Sequence, residues 1–372
     1  MTKRRVLLAG GGTAGHVNPL LAVGTRLRDL GWDVQVLGTA EGLESQLVPA
    51  AGFPLTVVPK VPLPRKPSPQ LLTLPGRLVH AREVASEALS GAEVVIGFGG
   101  YVSVPAYWAA RSAKVPVVIH EQNARPGLAN RWAARFAAAV AVTFAGTDLR
   151  ARRGLTETTG LPLRAPIAAL VAKRATPTGL AEARARGAEA LGLDPDRPTL
   201  LVTGGSLGAQ HLNETMVQAA EMLPAEAQVL HLTGRGKDGP VREHLPASVR
   251  DRWQVRDYLA TMEDALAVAD LVVCRSGAGT VAELSALGVP AIYVPLPIGN
   301  GEQRLNAADV VAAGGAELFE DAAFSQAVVT STVFPLLADA ERRARMGEAA
   351  RNSSVGDGTE AVINLALKVA KA

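Results

Sequence analysis

The tightest constraint on this chain is a strand–glycine–helix passage that occurs twice, half a chain apart. VLLAGGGTAGH (6–16) and LLVTGGSLGAQ (200–210) each set glycines between an apolar run and a helical stretch. A strand feeding a helix through a glycine turn opens a Rossmann-like unit, whose helix N-terminus makes an anion-binding face. Two such openings predict two similar units. That suits 372 residues, too long for one ordinary core.

The rest of the chain keeps this rhythm. Strands are expected at Arg5–Ala9, Val34–Leu37, Val94–Gly97, Val115–His120 and Val140–Phe144. A second series falls at Thr199–Thr203, Gln228–Thr233, Trp253–Arg256, Leu271–Cys274 and Ala291–Val294. Apolar strands separated by Ala/Leu/Arg-rich helical stretches indicate parallel sheets covered on both faces. The expected fold class is therefore α/β, with two Rossmann-like domains facing across a cleft. The boundaries read as 1–162 and 163–340, with Leu161–Arg197 as an interdomain linker plus an opening helix. The segment 341–372 reads as a helix packing back on the first domain. Ligands are expected at the carboxyl ends of the strands.

Composition narrows the function classes. Aromatics are 4% of the chain, too few for a single-stranded nucleic-acid platform, so no nucleic-acid partner is expected. The net charge of +3 permits attraction to phosphates or an anionic membrane face without demanding either. Cys274 is the single cysteine, which excludes an internal disulfide and a cysteine-based zinc site. The basic start resembles a signal peptide, but its apolar run, Val6 to Ala9, is short of the roughly 7–15 residues required. No run approaches the ~20 apolar residues that span a bilayer. A cytoplasmic protein touching membranes only at their surface is expected.

Gly10, Gly12 and Gly15 match the dinucleotide fingerprint G-x-G-x-x-G. A nicotinamide site also wants an acid at the end of the second strand. That strand reads DVQVLGT, ending on Gly38 and Thr39, with Glu41 farther into the loop. A tight turn without a ligand and a backbone cradle for another phosphate are the competing readings. His16 closes the loop, as a packed residue or as a base. CRSGAGTVAE (274–283) then sets Arg275, Ser276 and Gly277 before a helix whose first turns hold Thr280 and Glu283. That helix start suits a diphosphate, and Glu283 could accept two ribose hydroxyls or sit as a favourable N-terminal charge. Asp194-Pro195-Asp196 reads as a turn rather than a metal–nucleotide motif. No cluster has metal-ligand spacing, so neither metal nor other cofactor is expected.

Taken in order, GGGTAGHVNPLLAV (10–23), GFGGYVSVPA (97–106), IHEQNARPGLANR (119–131), GGSLGAQHLN (204–213), CRSGAGTVAEL (274–284) and EQRLNA (302–307) resemble one family. It is the MurG-type N-acetylglucosaminyltransferases of peptidoglycan synthesis. The resemblance implies a GT-B glycosyltransferase fold with the donor held mainly by the C-terminal half. It implies UDP contacts at Arg164, Ser206, Leu259 (through its backbone), Ala278, Gly279, Thr280 and Glu283. Asn123 and Gln303 would meet the N-acetylglucosamine hydroxyls. Thr13, Ala14 and Gly15 would face donor sugar and acceptor diphosphate, with Gly12, Tyr101, Asn130, His16 and Glu121 on the acceptor side. The chain departs from the family pattern at Ala14, commonly glycine, and at Leu161, commonly asparagine. Glu302 stands where some members have a second glutamine.

The family reaction inverts the donor's anomeric centre in one displacement and needs one base. His16 is the first choice because its ordinary pKa lies near the working pH; Glu121 is second, if burial raises its own. The implied partners are UDP-N-acetylglucosamine, a lipid-linked muramoyl-peptide and an anionic inner-membrane surface, with the enzyme peripheral on the cytoplasmic face. In 59–82, Leu71, Leu72, Leu74, Leu78 and Val79 interleave with Arg65, Lys66, Arg77 and Arg82, as a docking patch or as an ordinary amphipathic helix. Other readings are another GT-B enzyme (a glycolipid glycosyltransferase or a UDP-sugar epimerase), a nicotinamide oxidoreductase, and a non-enzymatic nucleotide-sugar binder.

Overall fold

The computed structural model describes residues 3–59, 70–205, 208–298 and 300–370, with the side chains of 70–75 left out. The chain divides into two compact units, Met1–Arg164 with Asp357–Ala372, and Ala165–Gly356. The first contains β1 (Arg5–Ala9), α1 (Ala14–Asp29), β2 (Asp33–Gly38), α2 (Glu44–Ala50), β3 (Leu55–Val57) and α3 (Gln70–Ala88). It continues with β4 (Val94–Gly97), α4 (Ser103–Ala113), β5 (Val117–Glu121), α5 (Leu128–Ala133), β6 (Ala139–Val142) and β7 (Leu155–Thr158).

The second unit contains α6 (Ala165–Arg174), α7 (Pro177–Leu191), β8 (Thr199–Thr203), α8 (Gln210–Gln218), β9 (Gln228–Leu232) and α9 (Asp238–His244). There follow β10 (Trp253–Arg256), α10 (Met262–Val268), β11 (Leu271–Cys274), α11 (Ala278–Leu287), β12 (Ala291–Tyr293) and α12 (Glu302–Asn306). It closes with α13 (Ala308–Ala312), β13 (Ala316–Leu318), α14 (Gln326–Val328), α15 (Phe334–Ala338) and α16 (Ala340–Asn352). The last helix, α17 (Thr359–Ala370), belongs to the first unit.

The sheets run β3-β2-β1-β4-β5-β6-β7 and β10-β9-β8-β11-β12-β13, with every pair parallel. Each is a doubly wound order whose direction reverses once, between β1 and β4 and between β8 and β11. Such reversals open a crevice at the carboxyl ends of the strands. Both repeated glycine passages lie there.

Strand β1 explains the layering. Leu7 and Ala9 join a core with Tyr107 of α4 and Ala81 and Ala85 of α3. Val6 and Leu8 turn to the other face, against Leu20, Val23 and Leu27 of α1. Both faces are dry, so the strand is apolar throughout. A side chain on Gly24 would meet Leu8 at 3.1 Å, so the glycine lets α1 lie close on the sheet.

The structure corrects three expectations. The segment 341–372 is not one returning helix: α16 stays in the second unit, where Met346 joins the core of Phe334, Leu336 and Leu337. Only α17 returns, burying Val362, Ile363, Leu365 and Ala366 beside Val6 and Leu8. Each large side chain so buried contributes about 1.5–3 kcal/mol. The return is pinned by Asp357, whose Oδ1 accepts the N–H of Leu163 (3.0 Å) and both the N–H (3.0 Å) and hydroxyl (2.6 Å) of Thr359. The boundary therefore falls at Arg164–Ala165 rather than 162–163.

Second, the expected linker is mostly the paired helices α6 and α7. Thr176 caps α7 by accepting the Gly179 N–H at 3.1 Å, and Gly192 ends it at φ +70°. Third, β3, β7 and β13 were not expected from the sequence. All three lie at sheet edges and none is buried along its whole length, so they carry no continuous apolar run.

Candidate active site

In the first unit the parallel sheet brings four strand exits to one edge: Gly10–His16 after β1, Thr39–Glu44 after β2, Gly97–Tyr101 after β4 and Glu121–Asn123 after β5. Gly12, Thr13, Ala14 and Gly15 are exposed there, where the first amides of α1 have no helical acceptor. Thr13 takes the N-cap position but its side chain does not cap. Its hydroxyl instead lies 3.0 Å from Nδ1 of His16.

His16 is half-buried, with Nδ1 also 3.0 Å from the Gly11 carbonyl oxygen. A carbonyl only accepts, so Nδ1 carries the proton and Nε2 is the free acceptor of the neutral ring. Gly99 and Gly100, at φ +85° and +79°, pass beside the ring. A Cβ on Gly99 would stand 3.4 Å from Nε2, and one on Gly100 would press 2.9 Å from the Gly11 oxygen. Ser103 fixes this turn by donating to the carbonyls of Ala9 (2.9 Å) and Gly99 (2.8 Å). Burial lowers the pKa of His16 below 6.5, opposed by the Gly11 carbonyl and by Glu44. The ring is neutral at neutral pH.

Glu44 was not singled out by the sequence. It is fully buried: Oε2 accepts the Gly12 N–H at 2.8 Å, and Oε1 accepts the N–H (3.0 Å) and hydroxyl (2.6 Å) of Thr39. Burial would raise its pKa, but these hydrogen bonds outweigh burial and hold it below the usual value. A nicotinamide site needs the acid after β2 on a ribose and the glycine amides on a pyrophosphate. Here Glu44 is turned inward and occupies the Gly12 amide that a pyrophosphate would need, which argues against that reading.

Glu121 is 2% exposed and holds loop 122–127 together. Its oxygens accept from the N–H of Asn123 (3.1 Å), the N–H of Gly127 (3.0 Å) and Nδ2 of Asn130 (2.9 Å). Burial raises its pKa against the pull of these donors, but geometry makes it a clasp. Asn130 is likewise buried beneath the surface rather than presented to an acceptor. Its Oδ1 accepts from the hydroxyl of Tyr107 at 2.8 Å, and a Cβ on Gly97 would overlap that hydroxyl. Sequence reasoning missed Tyr107, because nothing in GFGGYVSVPAY says which tyrosine turns inward. Tyr101 packs half-buried on the core, Asn123 is half-buried, and half-buried Arg164 closes the unit.

In the second unit the carboxyl edge collects Gly204–Gly205 after β8, Leu259 after β10, Arg275–Thr280 after β11 and Gln303 after β12. Ser206 lies outside the described residues. Gly277 precedes α11 with ordinary φ of −62° and, as the N-cap residue, carries no side chain to cap the amides of Ala278, Gly279 and Thr280. A Cβ on Gly277 or Gly279 would meet nothing within 4 Å. Packing and backbone strain therefore do not call for glycine at either place, and the helix start is left open to a ligand. Glu283 sits half-buried one turn farther on.

Arg275 turns away from this helix start. It donates to the carbonyls of Val294 (3.0 Å) and Pro295 (3.1 Å) and pairs with Asp321. Gln303 accepts the Leu296 N–H at 2.9 Å through Oε1, holding the loop after β12. Asn306 is buried and donates to the Ser276 carbonyl at 3.3 Å. Asp194 accepts the Asp196 N–H at 2.9 Å, a turn as expected. Among the described residues no group of three or more His, Cys, Asp or Glu is placed to hold a metal ion.

Family comparison fits this arrangement. Residues 6–142 match the glycosyltransferase family 28 N-terminal domain and 199–362 its C-terminal domain. A UDP-N-acetylglucosamine–N-acetylmuramyl-(pentapeptide) pyrophosphoryl-undecaprenol N-acetylglucosamine transferase of Leifsonia xyli is 49% identical over 364 residues, covering 96% of this chain and 97% of the relative. The chain belongs to the MurG family. Its counterpart from Bifidobacterium adolescentis is 46% identical, over 96% of this chain and 95% of the relative. The crystal structure of Acinetobacter baumannii MurG, 28% identical, superposes with a TM-score of 0.78 over 99% of this chain and 100% of that one. The family's GT-B architecture is the one described above. Neisseria meningitidis UDP-GlcNAc 2-epimerase, 14% identical with a TM-score of 0.68 over 99% of this chain and 100% of that one, shares the fold alone.

Proposed function

We infer that this protein transfers N-acetylglucosamine from UDP-N-acetylglucosamine to the 4-hydroxyl of undecaprenyl-diphospho-N-acetylmuramoyl-pentapeptide, inverting the anomeric centre. The observation that carries the donor half is the start of α11, whose N-cap is a glycine and whose Gly277 and Gly279 are required by no packing among the described residues. Amides and a helix dipole there stabilise negative charge on the departing UDP. No metal is called for in this scheme. Ser206 and Arg164 add polar contacts, Leu259 meets the base through its backbone, and Glu283 takes ribose hydroxyls. Asn123 and Gln303 position the sugar.

On the acceptor side, Nε2 of His16 takes the proton from the attacking hydroxyl. Thr13, Ala14 and Gly15 offer amides to the acceptor diphosphate, with Gly12 already held by Glu44. Glu121 and Asn130 support the loop, and Tyr101 flanks it.

The enzyme works peripherally on the cytoplasmic face of the membrane, because its acceptor is lipid-linked. No helix among the described residues is long and apolar enough to cross a bilayer. Arg65, Lys66 and the side chains of Leu71, Leu72 and Leu74 lie outside the described residues. Within α3, Leu78 packs on the core, Arg82 lies over Trp108 at 5.2 Å, and Val79 is exposed.

The test is transfer of radiolabelled sugar from UDP-N-acetylglucosamine to the lipid-linked muramoyl-peptide, with UDP-glucose as competing donor. Labelled lipid product is expected. Epimerised donor without lipid product would favour a UDP-sugar epimerase instead. Sedimentation with vesicles should show binding that rises with anionic lipid; binding indifferent to lipid charge would sink the membrane reading.

A further inference from the structure

We propose that Glu44 is a positioning residue for His16 and acts through the Gly11–Gly12 peptide bond. The two contacts lie at opposite ends of one peptide unit. Oε2 of Glu44 accepts the Gly12 N–H at 2.8 Å, and the Gly11 carbonyl meets Nδ1 of His16 at 3.0 Å. A trans peptide is planar, with N–H and C=O pointing in opposite directions. Holding the N–H therefore aims the carbonyl. The aimed carbonyl keeps the proton on Nδ1 and leaves Nε2 free. Negative charge on the N–H also polarises the unit, so the carbonyl accepts more strongly and favours the imidazolium that forms when Nε2 takes a proton. The logic is that of a carboxylate orienting a catalytic histidine, with one amide between them.

The site is shaped for this carboxylate. Cβ atoms on Gly11 or Gly42 would overlap its oxygens, and one on Gly38 would come 2.6 Å from its Cγ. Thr39 fixes the second oxygen with two hydrogen bonds. Those donors keep the group ionised despite full burial, and it is the charged residue that acts on His16. Because the Gly12 amide is taken, anion binding at this loop falls to the exposed Thr13, Ala14 and Gly15.

The inference rests on His16 being the base, so its test is separable from turnover. Nitrogen-15 NMR of the full-length protein labelled at histidine reports which ring nitrogen holds the proton and how the ring titrates. In the wild type the neutral His16 ring is expected to be protonated on Nδ1. In Glu44→Gln the proton should redistribute toward Nε2 and the titration should move to lower pH. Turnover should fall about tenfold, part of the roughly 10²–10⁴-fold that a placed base supplies, with donor KM little changed. Thr39→Val removes one hydrogen bond from the same carboxylate but keeps its charge, so it should preserve the Nδ1–H form. A wild-type ring protonated on Nε2, an unmoved ring in Glu44→Gln, or an equal change in Thr39→Val would each overturn the proposal. If Glu44→Gln does not fold, the wild-type spectrum and Thr39→Val still decide. Full turnover in His16→Gln would remove the base assignment while the NMR result stood.

Discussion

Nδ1 of His16 stands 3.0 Å from the carbonyl oxygen of Gly11, which commits that nitrogen to donating. The opposite nitrogen, beside Gly99, is then the one available for chemistry. Because burial lowers the pKa of this ring below 6.5, the neutral, basic form persists at mildly acidic pH. Activity should therefore fall on the acid side only as pH drops through that lowered value. His16→Gln should reduce kcat by about 10²–10⁴-fold and flatten that limb, with donor KM nearly unchanged. Steady-state rates across pH check this; an unchanged acid limb would return the role to another group.

Gly279 offers a cleaner separation of stability from binding. It lies in the first turn of α11 with open space where a Cβ would sit. Gly279→Ala should leave stability unchanged or raise it by up to about 1 kcal/mol, since alanine is the better helix former. The same methyl should raise KM for UDP-N-acetylglucosamine by obstructing the amides. A raised Tm with unaltered donor KM would show that nothing binds there.

Tyr107 makes the opposite prediction. Its hydroxyl is buried and donates to Asn130, which donates on to Glu121. Tyr107→Phe leaves the Asn130 oxygen without its donor, so a loss of about 1–3 kcal/mol is expected. Urea denaturation should show this as a lower midpoint.

Two buried histidines set the acid stability. Burial pushes His120 down to about 4 and His231 down to about 3, from 6.5 in the unfolded chain. Both are neutral when folded and take up protons more readily when unfolded, so their contribution is complete above pH 6.5. It is lost as pH falls toward 4 and 3, by about 1.4 kcal/mol per pH unit for each. Glu121, whose pKa is raised, works in the opposite sense and offsets part of the loss. Urea midpoints between pH 6.5 and 4 should fall, and His231→Gln should make the slope shallower.

Much of the fold is legible in the sequence. The interior strands β1, β4, β8 and β11 fall on their expected residues, because strands buried on both faces must be apolar throughout, and the edge strand β10 does so through its alternating buried Trp253 and Val255. The edge strands β3, β7 and β13 were not legible, since their short or polar runs (LTV, LTET and AEL) lack that signal. At the site, His16 and the α11 helix start could be placed from glycines next to apolar runs. Glu121 and Asn130 were named from the family resemblance, and that both turn inward was not legible.

The sequence by itself determined the two doubly wound units and the strand exits where ligands gather, because local pattern and chain order specify both. Tertiary structure alone decided which groups at those exits are buried and which are offered. Glu44 reads as an ordinary acid at the start of a helix. Only when β1 and β2 pair does it come under Gly12, and a buried charge must take the nearest donors. The same holds for Asp357, which meets Leu163 from the far end of the chain. Contacts between residues distant in sequence follow from packing, which no local pattern records.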